Sequence, residues 1–599
     1  MQNYAKAKLV AKSAFLSYSR IMKMHRGDDM KKGALFGAAY GILLVLLSRG
    51  FIRNLGELFS PIGKIIKLDR ELVKHIIQVL EQFKTAKLVS PWLFVLLIGI
   101  GVSILYFRLI RSRKRKVLIS VSLWGLLLIP LMLGVVCFTE VNGVRLANFW
   151  IKTSETPQYQ AETYVSEGDS WNFGFGRRQI VPDPNSTQPL YISGYNNGLE
   201  ITSVLDYCEA RAVWVDTGEE GVLLIGIDCI ALDSSTVLKI REALADIPNC
   251  AAINVYATHT HAGIDTLGMW GPVGIDGKNN AYMKNLIQAA EDAGREAATN
   301  RTAGDLYFSQ IRTEELCYDS REPQVYDENL YQLRFTAKDS GKGLRLYFYG
   351  AHAESLRGSN RLLSRDFAGM LCDKVTEVTG DNTMFFPGAI GGLIMTQEFV
   401  DASRHAMKNM EITADKLVSY ALSITQEMEQ KLTPTFALSR TKCVVPMDNT
   451  AFFLYKFLGI LNNKPVRADS ATGCGVETEL AVLMLDDLAV TFLPGEIFPE
   501  LVFGGEYGDA SPENQNPEPL CQIAAKYGIK KMLVVGLAND EIGYIVPASD
   551  FLLNPDMPYL EKTMDYKGEN HYEETNSIGL ECANVIADTF ETVVKEVRK

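Results

Sequence analysis

Residues 252–263 read Ala-Ile-Asn-Val-Tyr-Ala-Thr-His-Thr-His-Ala-Gly, an apolar run that ends in His259 and His261. Such a run is typical of a buried β-strand. Active sites of α/β sheets lie at the carboxyl ends of strands, and side chains at i and i+2 of an extended strand point the same way. The pattern therefore predicts two imidazoles that reach one metal or catalytic centre; the alternative is a hydrogen-bonded turn.

Three further predicted strand ends carry metal-binding residue types. The run 346–352 ends in His352, the run 490–496 ends in Pro-Gly-Glu496, and the run 532–544 ends in polar residues and Tyr544. Two histidines, a carboxylate and one further oxygen ligand form an open zinc site with room for water. The sequence therefore predicts a Zn²⁺ centre.

From about residue 148 to residue 599, short apolar β-rich runs alternate with longer helical ones. This alternation is typical of a layered α/β domain. The predicted strands are 212–215, 221–227, 252–257, 344–349, 383–386, 481–485, 489–493 and 532–536. The predicted helices are 234–246, 280–299, 365–378, 402–431 and 577–597.

The first quarter of the chain has the opposite charge: residues 1–140 have a net charge of +15 and the remainder −26. Its apolar stretches are 33–47, 92–107 and 117–138, and a helix that spans a bilayer needs about 20 apolar residues. We expect a transmembrane anchor of about three helices over 33–140, of which the first is the shortest. A basic cytoplasmic N-terminus (1–32) precedes it, and residues 51–90 form an amphipathic segment within it.

The basic run Arg-Ser-Arg-Lys-Arg-Lys at 111–116 separates the second and third stretches. Lys and Arg in short loops favour the cytoplasmic side. The third stretch then leaves the membrane outward, so we expect a multi-pass protein of the cell membrane with residues 148–599 outside the cytoplasm.

The chain resembles the neutral ceramidase family, zinc-dependent amidases that split ceramide into sphingosine and a fatty acid. The resemblance runs from about Phe173 to about Phe590. Five motifs in the family's order carry it: 258–261, 360–366 downstream of His352, 494–496, 536–544 and 571–573. It implies a mixed-sheet α/β catalytic domain of the neutral-ceramidase type.

The resemblance also implies site residues: one zinc ion held by His259, His352, Glu496 and Tyr544. His261 would be a general acid or base, or else a structural histidine behind the ligands. Arg321 resembles a family arginine near the polar end of the substrate, where it would stabilise an oxyanion; a surface ion pair is the alternative. Tyr572 resembles a tyrosine beside the metal, with ordinary packing as the alternative.

Two departures distinguish the chain from that family. The family carries Gly-Asp-Val-Ser-Pro-Asn, with a serine proposed as catalytic, where this chain reads Gly-Gly-Leu-Ile-Met-Thr at 391–396. A serine nucleophile is therefore not supported, whereas metal-activated water needs none. The family also ends in a β-sandwich domain, whereas we expect a helix at 577–599 and no such domain here.

These observations favour a zinc-dependent amidase that cleaves the N-acyl bond of a ceramide-like or other lipid amide at a membrane. The alternatives are a zinc-dependent esterase or hydrolase of another envelope substrate and a non-catalytic lipid-binding homologue. The charge of −26 on the larger part excludes nucleic acid as a plausible partner. No pattern specifies an oligomeric state.

Overall fold

The computed structural model describes residues 156–272, 275–339 and 341–599, together with two short paired strands, Glu140–Val141 and Val144–Arg145. The chain divides into two units, residues 1–150 and 151–599. The three apolar stretches expected to form an anchor, and the amphipathic segment among them, lie outside the described residues. Within the described residues, no helix combines the length and the apolar character needed to cross a bilayer.

The described part of the larger unit contains fifteen strands that belong to two sheets. They are β1 (Glu162–Glu167), β2 (Trp171–Gln179), β3 (Glu209–Asp216), β4 (Gly221–Ile227), β5 (Cys250–Ala257), β6 (Thr302–Arg312), β7 (Asn329–Ala337), β8 (Leu344–Tyr349), β9 (Asn382–Pro387), β10 (Gln430–Leu432), β11 (Thr435–Pro446), β12 (Pro465–Arg467), β13 (Cys474–Leu485), β14 (Leu488–Phe492) and β15 (Lys531–Val535).

Eight α-helices accompany these strands among the residues that the structure describes. They are α1 (Ser234–Ala243), α2 (Asn280–Thr299), α3 (Asp366–Thr379), α4 (Ala402–Ser423), α5 (Thr450–Phe457), α6 (Pro499–Phe503), α7 (Leu520–Lys526) and α8 (Cys582–Val597). Two-residue and three-residue strand pairs and three short 3-10 turns complete the described elements.

The first sheet has nine strands in the order β9-β8-β7-β6-β2-β3-β4-β5, with β10 beside β6. Both edge pairs, β8 with β9 and β4 with β5, are parallel, and the inner pairs are antiparallel. The second sheet has the order β15-β14-β13-β11-β1, with β12 beside β13 and a parallel pair of β14 with β15. The predicted layered α/β fold with a mixed sheet is confirmed.

The two sheets face each other across one apolar core. Alternate residues of a strand point to opposite faces, so only one face of each sheet contributes to this core. In β3, Val213 and Val215 join the core between the sheets, whereas Ala212 and Trp214 pack on the other face with α2. The opposite half of that face is covered by α3 and α4, and α8 packs on the second sheet. The order of layers is therefore helices, sheet, sheet, helix.

The first sheet curls until its two edge strands meet. The Tyr256 hydroxyl of β5 donates to the Phe385 carbonyl of β9 at 2.6 Å, although these strands lie at opposite ends of the hydrogen-bonded order. The Tyr256 ring also stacks on Phe386, with 4.6 Å between the ring centroids. Beyond the strands, Thr260 and Ala353 form a parallel bridge. The carboxyl ends of β5 and β8 consequently come together.

The structure corrects two predicted helix boundaries. The helix predicted over 402–431 ends at Ser423 and gives way to β10, whose Leu432 pairs with Leu306 of β6. The last helix begins at Cys582 rather than at 577, because Glu573–Asn576 form a 3-10 turn. Several long antiparallel strands, β2, β6, β7 and β11, were not among the predicted elements, and only the last five residues of β13 were.

Substitution of Phe386 tests the packing of the core between the two sheets. The side chain is fully buried and stacks on Phe348 as well as on Tyr256, so Phe386→Ala removes aromatic contacts and leaves a cavity. We expect the free energy of unfolding to fall by about 3–5 kcal/mol, measured by urea denaturation. Val378→Ala is the control, because Val378 is 65% exposed, and it should change stability by less than about 0.5 kcal/mol. Equal effects would contradict the layering.

Candidate metal centre

Four strand ends from the two sheets supply the polar side chains of the site. His259 and His261 follow β5, and His352 follows β8 in the first sheet. Glu496 follows β14, and Tyr544 lies beyond β15 in the second sheet, where residues 496–497 and 544–545 form a short parallel pair. All five side chains lie at one edge of the core.

The ring nitrogens and the carboxylate converge closely. His261 Nε2 lies 3.1 Å from His259 Nε2, which is itself 3.3 Å from Glu496 Oε2. His352 Nε2 lies 3.1 Å from the same carboxylate oxygen. The ligand atoms of the three histidines all lie within 4.8 Å of one another. The structure thus brings His261 into the cluster as closely as the residues expected to bind the metal.

The outer nitrogens of two rings are held by main-chain carbonyls. His259 Nδ1 lies 2.8 Å from the Ile230 oxygen, and His352 Nδ1 lies 2.9 Å from the Ile394 oxygen. Because a carbonyl oxygen only accepts, each Nδ1 carries the proton and donates it outward. The Nε2 atoms of both rings therefore face into the cluster, as they do in histidines that bind metals.

The two rings of the His-x-His pattern do not meet by simple strand alternation. His259 adopts a φ of +62°, in the left-handed region that residues with a Cβ seldom occupy. The chain has already left the extended conformation of β5 at this point. The convergence of the rings was predicted, but the physical reason offered for it was wrong.

Charges within the cluster follow from its burial. Burial by itself would raise the pKa of Glu496, but His259 and His352 hold this pKa well below its usual range. Burial opposes protonation of His352, yet the hydrogen bond to Glu496 raises its pKa. Burial, with His259 and His352 alongside, lowers the pKa of His261 well below its ordinary value. His261 is therefore neutral and can accept a proton.

The donor set fits a divalent cation. Ligands at about 2.0–2.1 Å from a tetrahedral zinc ion are about 3.3 Å apart. Glu496 Oε2 lies 3.3 Å from His259 Nε2 and 3.1 Å from His352 Nε2, close to that separation. Imidazole with carboxylate also suits zinc among the common metals.

Tyr544 and Tyr572 line the same cavity as His259, His261 and Glu496. The two tyrosine rings form an edge-to-face pair with 6.1 Å between centroids. Burial and the neighbouring Glu496 carboxylate raise the pKa of Tyr544 well above its ordinary value. Burial also raises the pKa of Tyr572, so both phenols are protonated at neutral pH and can donate hydrogen bonds.

Arg321 lies in a buried ion-pair cluster and not in the wall of the cavity. Its guanidinium pairs with Asp550 and lies 3.8 Å from Glu573. It also stacks on the Phe498 ring, 4.8 Å from the centroid. The surface ion pair considered as an alternative is therefore an ion pair in the interior. Contact between Arg321 and a substrate stays a prediction.

The cavity beside the histidines is mostly apolar. Its volume is about 100 Å³, several times the roughly 10–15 Å³ that one water molecule requires. Its apolar wall includes Ile230, Ala231, Leu267, Met269, Trp270, Met447, Phe452, Leu461, Val476, Ile542 and Ile578. The arrangement combines a polar end suited to bond cleavage with an apolar wall suited to a hydrocarbon chain.

Sequence reasoning missed two acidic residues at the site. Glu541 lines the cavity, and burial raises the pKa of its carboxyl well above the ordinary range. Glu354 lies 3.6 Å from His261 Nδ1. A signal for Glu354 was present, because it follows His352 by the same two positions that separate His261 from His259.

The segment that replaces the family's serine motif has a structural task. Ile394, in the short strand Ile394–Thr396, provides the carbonyl that fixes His352. Gly391 packs so closely against Ile497 and Phe498 that a Cβ would lie 2.6 Å from their atoms. Thr396 is buried and pairs with Cys317. This segment supports the cluster but places no serine in it.

Comparisons with known proteins agree with the fold and the cluster. No protein-family model matches the chain. Neutral ceramidase B of Dictyostelium discoideum is 25% identical over 263 residues, which cover 39% of this chain and 36% of the relative's own length. The crystal structure of neutral ceramidase from Pseudomonas aeruginosa matches with a TM-score of 0.56 and 14% identity, over 72% of this chain and 74% of that one.

A second solved structure, a ceramidase complexed with C2, matches with the same TM-score and identity over 72% of this chain and 75% of that one. The chain thus has the layered mixed α/β fold of these ceramidase structures, with a histidine cluster where strand ends of the two sheets meet. The resemblance of the chain to the neutral ceramidase family is confirmed.

Metal content tests the cluster directly. We expect the purified full chain to retain about one equivalent of zinc, and His352→Ala to lose most of it, because the substitution removes one of the converging nitrogens. The measurement is inductively coupled plasma mass spectrometry after dialysis. His405→Ala is the matched control, since His405 is exposed on α4, and it should keep the metal. Equal loss in both variants would contradict the assignment.

Because of the buried carboxyl of Glu500, we expect the stability of the folded protein to depend on pH. Burial, with Asp319 nearby, raises the pKa of its carboxyl to about 8, whereas an exposed glutamate has a pKa of about 4.3. The folded protein then binds one proton more than the unfolded chain between these values, so this group makes stability fall as pH rises. Glu500→Gln should therefore gain stability relative to the wild type between pH 5 and pH 8, by up to about 1.4 kcal/mol per pH unit.

Urea denaturation at several pH values gives this difference. Glu513→Gln is the control, because Glu513 lies exposed in the loop that follows α6. A stability difference between Glu500→Gln and the wild type that does not change with pH would contradict the prediction.

Proposed function

We propose that the chain is a metal-dependent hydrolase that cleaves the N-acyl bond of a ceramide-like or other lipid amide. The observation that carries the proposal is the convergence of His259, His261, His352 and Glu496 beside an apolar cavity. The ceramidase relatives support the reaction class, because their names describe hydrolysis of a lipid amide.

The residues divide the work of hydrolysis among them. His259, His352 and Glu496, with Tyr544 as the expected fourth ligand, would hold the cation. A bound zinc ion supplies a Lewis acid that makes water nucleophilic at neutral pH. His261, held neutral by its surroundings, accepts a proton at Nε2 from the attacking water. The same proton passes to the amide nitrogen as the C–N bond breaks, so the amine leaves neutral.

The tyrosines and the apolar wall complete the arrangement. The protonated hydroxyl of Tyr572 can donate to the carbonyl oxygen as it gains charge. This task fits Tyr572 better than Arg321, because Tyr572 lines the cavity, whereas Arg321 pairs with Asp550 away from the cavity wall. The apolar wall binds a hydrocarbon chain and limits access of bulk water, which strengthens the polar interactions in the cavity.

One observation favours a second candidate, a lipid-binding homologue without activity. The chain lacks the serine proposed as catalytic in the related family, and Gly391 and Ile394 occupy that segment. Metal-activated water needs no serine, so hydrolysis remains the better proposal. An esterase that acts on another envelope substrate uses the same groups and differs in the substrate alone.

We further propose that residues 148–599 act outside the cytoplasm, held by the basic and apolar first quarter of the chain. This location would place the apolar cavity near lipid substrates. Protease added to intact cells should degrade the larger unit and spare an epitope fused to the N-terminus. Complete protection of the larger unit would contradict this location.

Substrate profiling tests the activity. The full chain in detergent should release fatty acid from N-acyl sphingoid amides, and His261→Gln should lower kcat by at least about 100-fold, because general acid-base catalysis contributes about 10²–10⁴-fold. His405→Ala is the control for loss of a histidine away from the site. Mass spectrometry of the products gives the rates.

The same substrates, together with matched esters, separate the alternatives. Release of fatty acid from the esters but not from the amides would support the esterase. Stoichiometric zinc and lipid binding without turnover of any substrate would support the lipid-binding homologue and contradict the hydrolase.

A further inference from the structure

His261 differs from the other two histidines of the cluster at its outer nitrogen. His259 and His352 each donate from Nδ1 to a main-chain carbonyl. His261 Nδ1 is buried and makes no hydrogen bond within the described part of the chain. The nearby acceptor is the Glu354 carboxylate, whose Oε2 lies 3.6 Å away.

Glu354 is itself held by a specific partner. The Tyr195 hydroxyl donates to Glu354 Oε2 at 2.5 Å, and the carboxylate side chain is only 8% exposed. The nearby cation Arg357 pairs with Glu398 instead. A buried carboxylate costs stability unless it is paired, so its place between Tyr195 and His261 requires an explanation.

The backbone fixes Glu354 opposite His261. Thr260 and Ala353 form a parallel bridge, and the His261 N–H donates to the Ala353 carbonyl at 2.9 Å. Thr260 and Ala353 are the middle residues of the segments 259–261 and 352–354. Because these middle residues are paired, His261 and Glu354 lie on the same side of the bridge. The pattern His-x-His at 259–261 is thus matched by His-x-Glu at 352–354.

The remaining sides of the His261 ring are confined. The Tyr195 ring lies edge-on to it, with 5.2 Å between centroids. Gly194 has a φ of +101°, and a Cβ at this position would lie 2.5 Å from His261 Nδ1. Only glycine fits this approach. The loop at 194–195 therefore limits the positions open to the His261 ring.

We propose that Glu354, held by Tyr195, is a positioning residue for His261, an inference that rests on the proposed hydrolase function. The carboxylate attracts the Nδ1–H of the ring, so that Nε2 keeps its lone pair directed at the reacting water. Partners of this kind orient site histidines, and their loss typically costs about 10–100-fold in activity. Among the described residues, Glu354 is a member of neither the histidine cluster nor the cavity lining, and it reaches both through His261.

Steady-state kinetics on the full chain test the proposal. In Glu354→Ala we expect kcat to fall about 10–100-fold while KM changes by less than about threefold. Glu354→Gln keeps an oxygen acceptor of the same shape and should recover most of the loss. Glu398→Ala is the control, because it removes an exposed carboxylate of the same region that pairs with Arg357.

A double-mutant cycle shows whether Glu354 acts through His261. Glu354→Ala should lower kcat in the wild type but by less than about twofold when His261 is already glutamine, because coupled residues are not additive. An equal fall in both backgrounds would overturn the proposal. An unchanged kcat in Glu354→Ala, or a rise in KM alone, would also overturn it.

Crystal structures of the wild type and of Glu354→Ala keep the test separate from the proposed activity. The His261 ring should turn by more than about 20° without the carboxylate, since functional side chains are held within about 10–20° by such partners. A ring that stays within this range overturns the positioning role. If the wild type hydrolyses no substrate, the proposed function fails, and this comparison still decides the role of Glu354.

Discussion

The closure of the first sheet on itself is the constraint on which the rest of the structure depends. Its edge strands β5 and β9 are far apart in hydrogen-bonded order, yet Tyr256 donates to the Phe385 carbonyl across the gap. The parallel bridge of Thr260 with Ala353 continues this junction beyond the strands. Without it, His259 and His352 would lie at opposite sides of a nine-stranded sheet.

The second sheet completes the site at the same edge. Its parallel pair, β14 with β15, leads into the segments that carry Glu496 and Tyr544. Burial of a carboxylate among three imidazoles is costly unless the charges are compensated. The main-chain carbonyls behind His259 and His352 orient the rings so that compensation comes from within the cluster. The scaffold is thus organised for a cation, with an apolar cavity beside it.

Part of this arrangement could be predicted from the sequence, because the pattern at each strand end is local. Apolar runs followed by His259, His352 or Glu496 identify both the strand and its polar end. Partners distant in sequence could not be predicted in this way. Tyr195 meets Glu354 across 159 positions, and the antiparallel strand β2 mixes apolar, glycine and charged residues, WNFGFGRRQ, which obscures its alternation. The buried ion pair of Arg321 could not be predicted for the same reason, because its partner Asp550 lies 229 positions away.

The most direct test of the account is the position of the metal in crystals of the zinc-loaded protein, from anomalous scattering at the zinc edge. The account predicts a single strong peak about 2.0–2.2 Å from His259 Nε2, His352 Nε2 and a carboxylate oxygen of Glu496. A peak elsewhere, such as beside His571 and Glu574, or the lack of any peak between the three side chains, would contradict it.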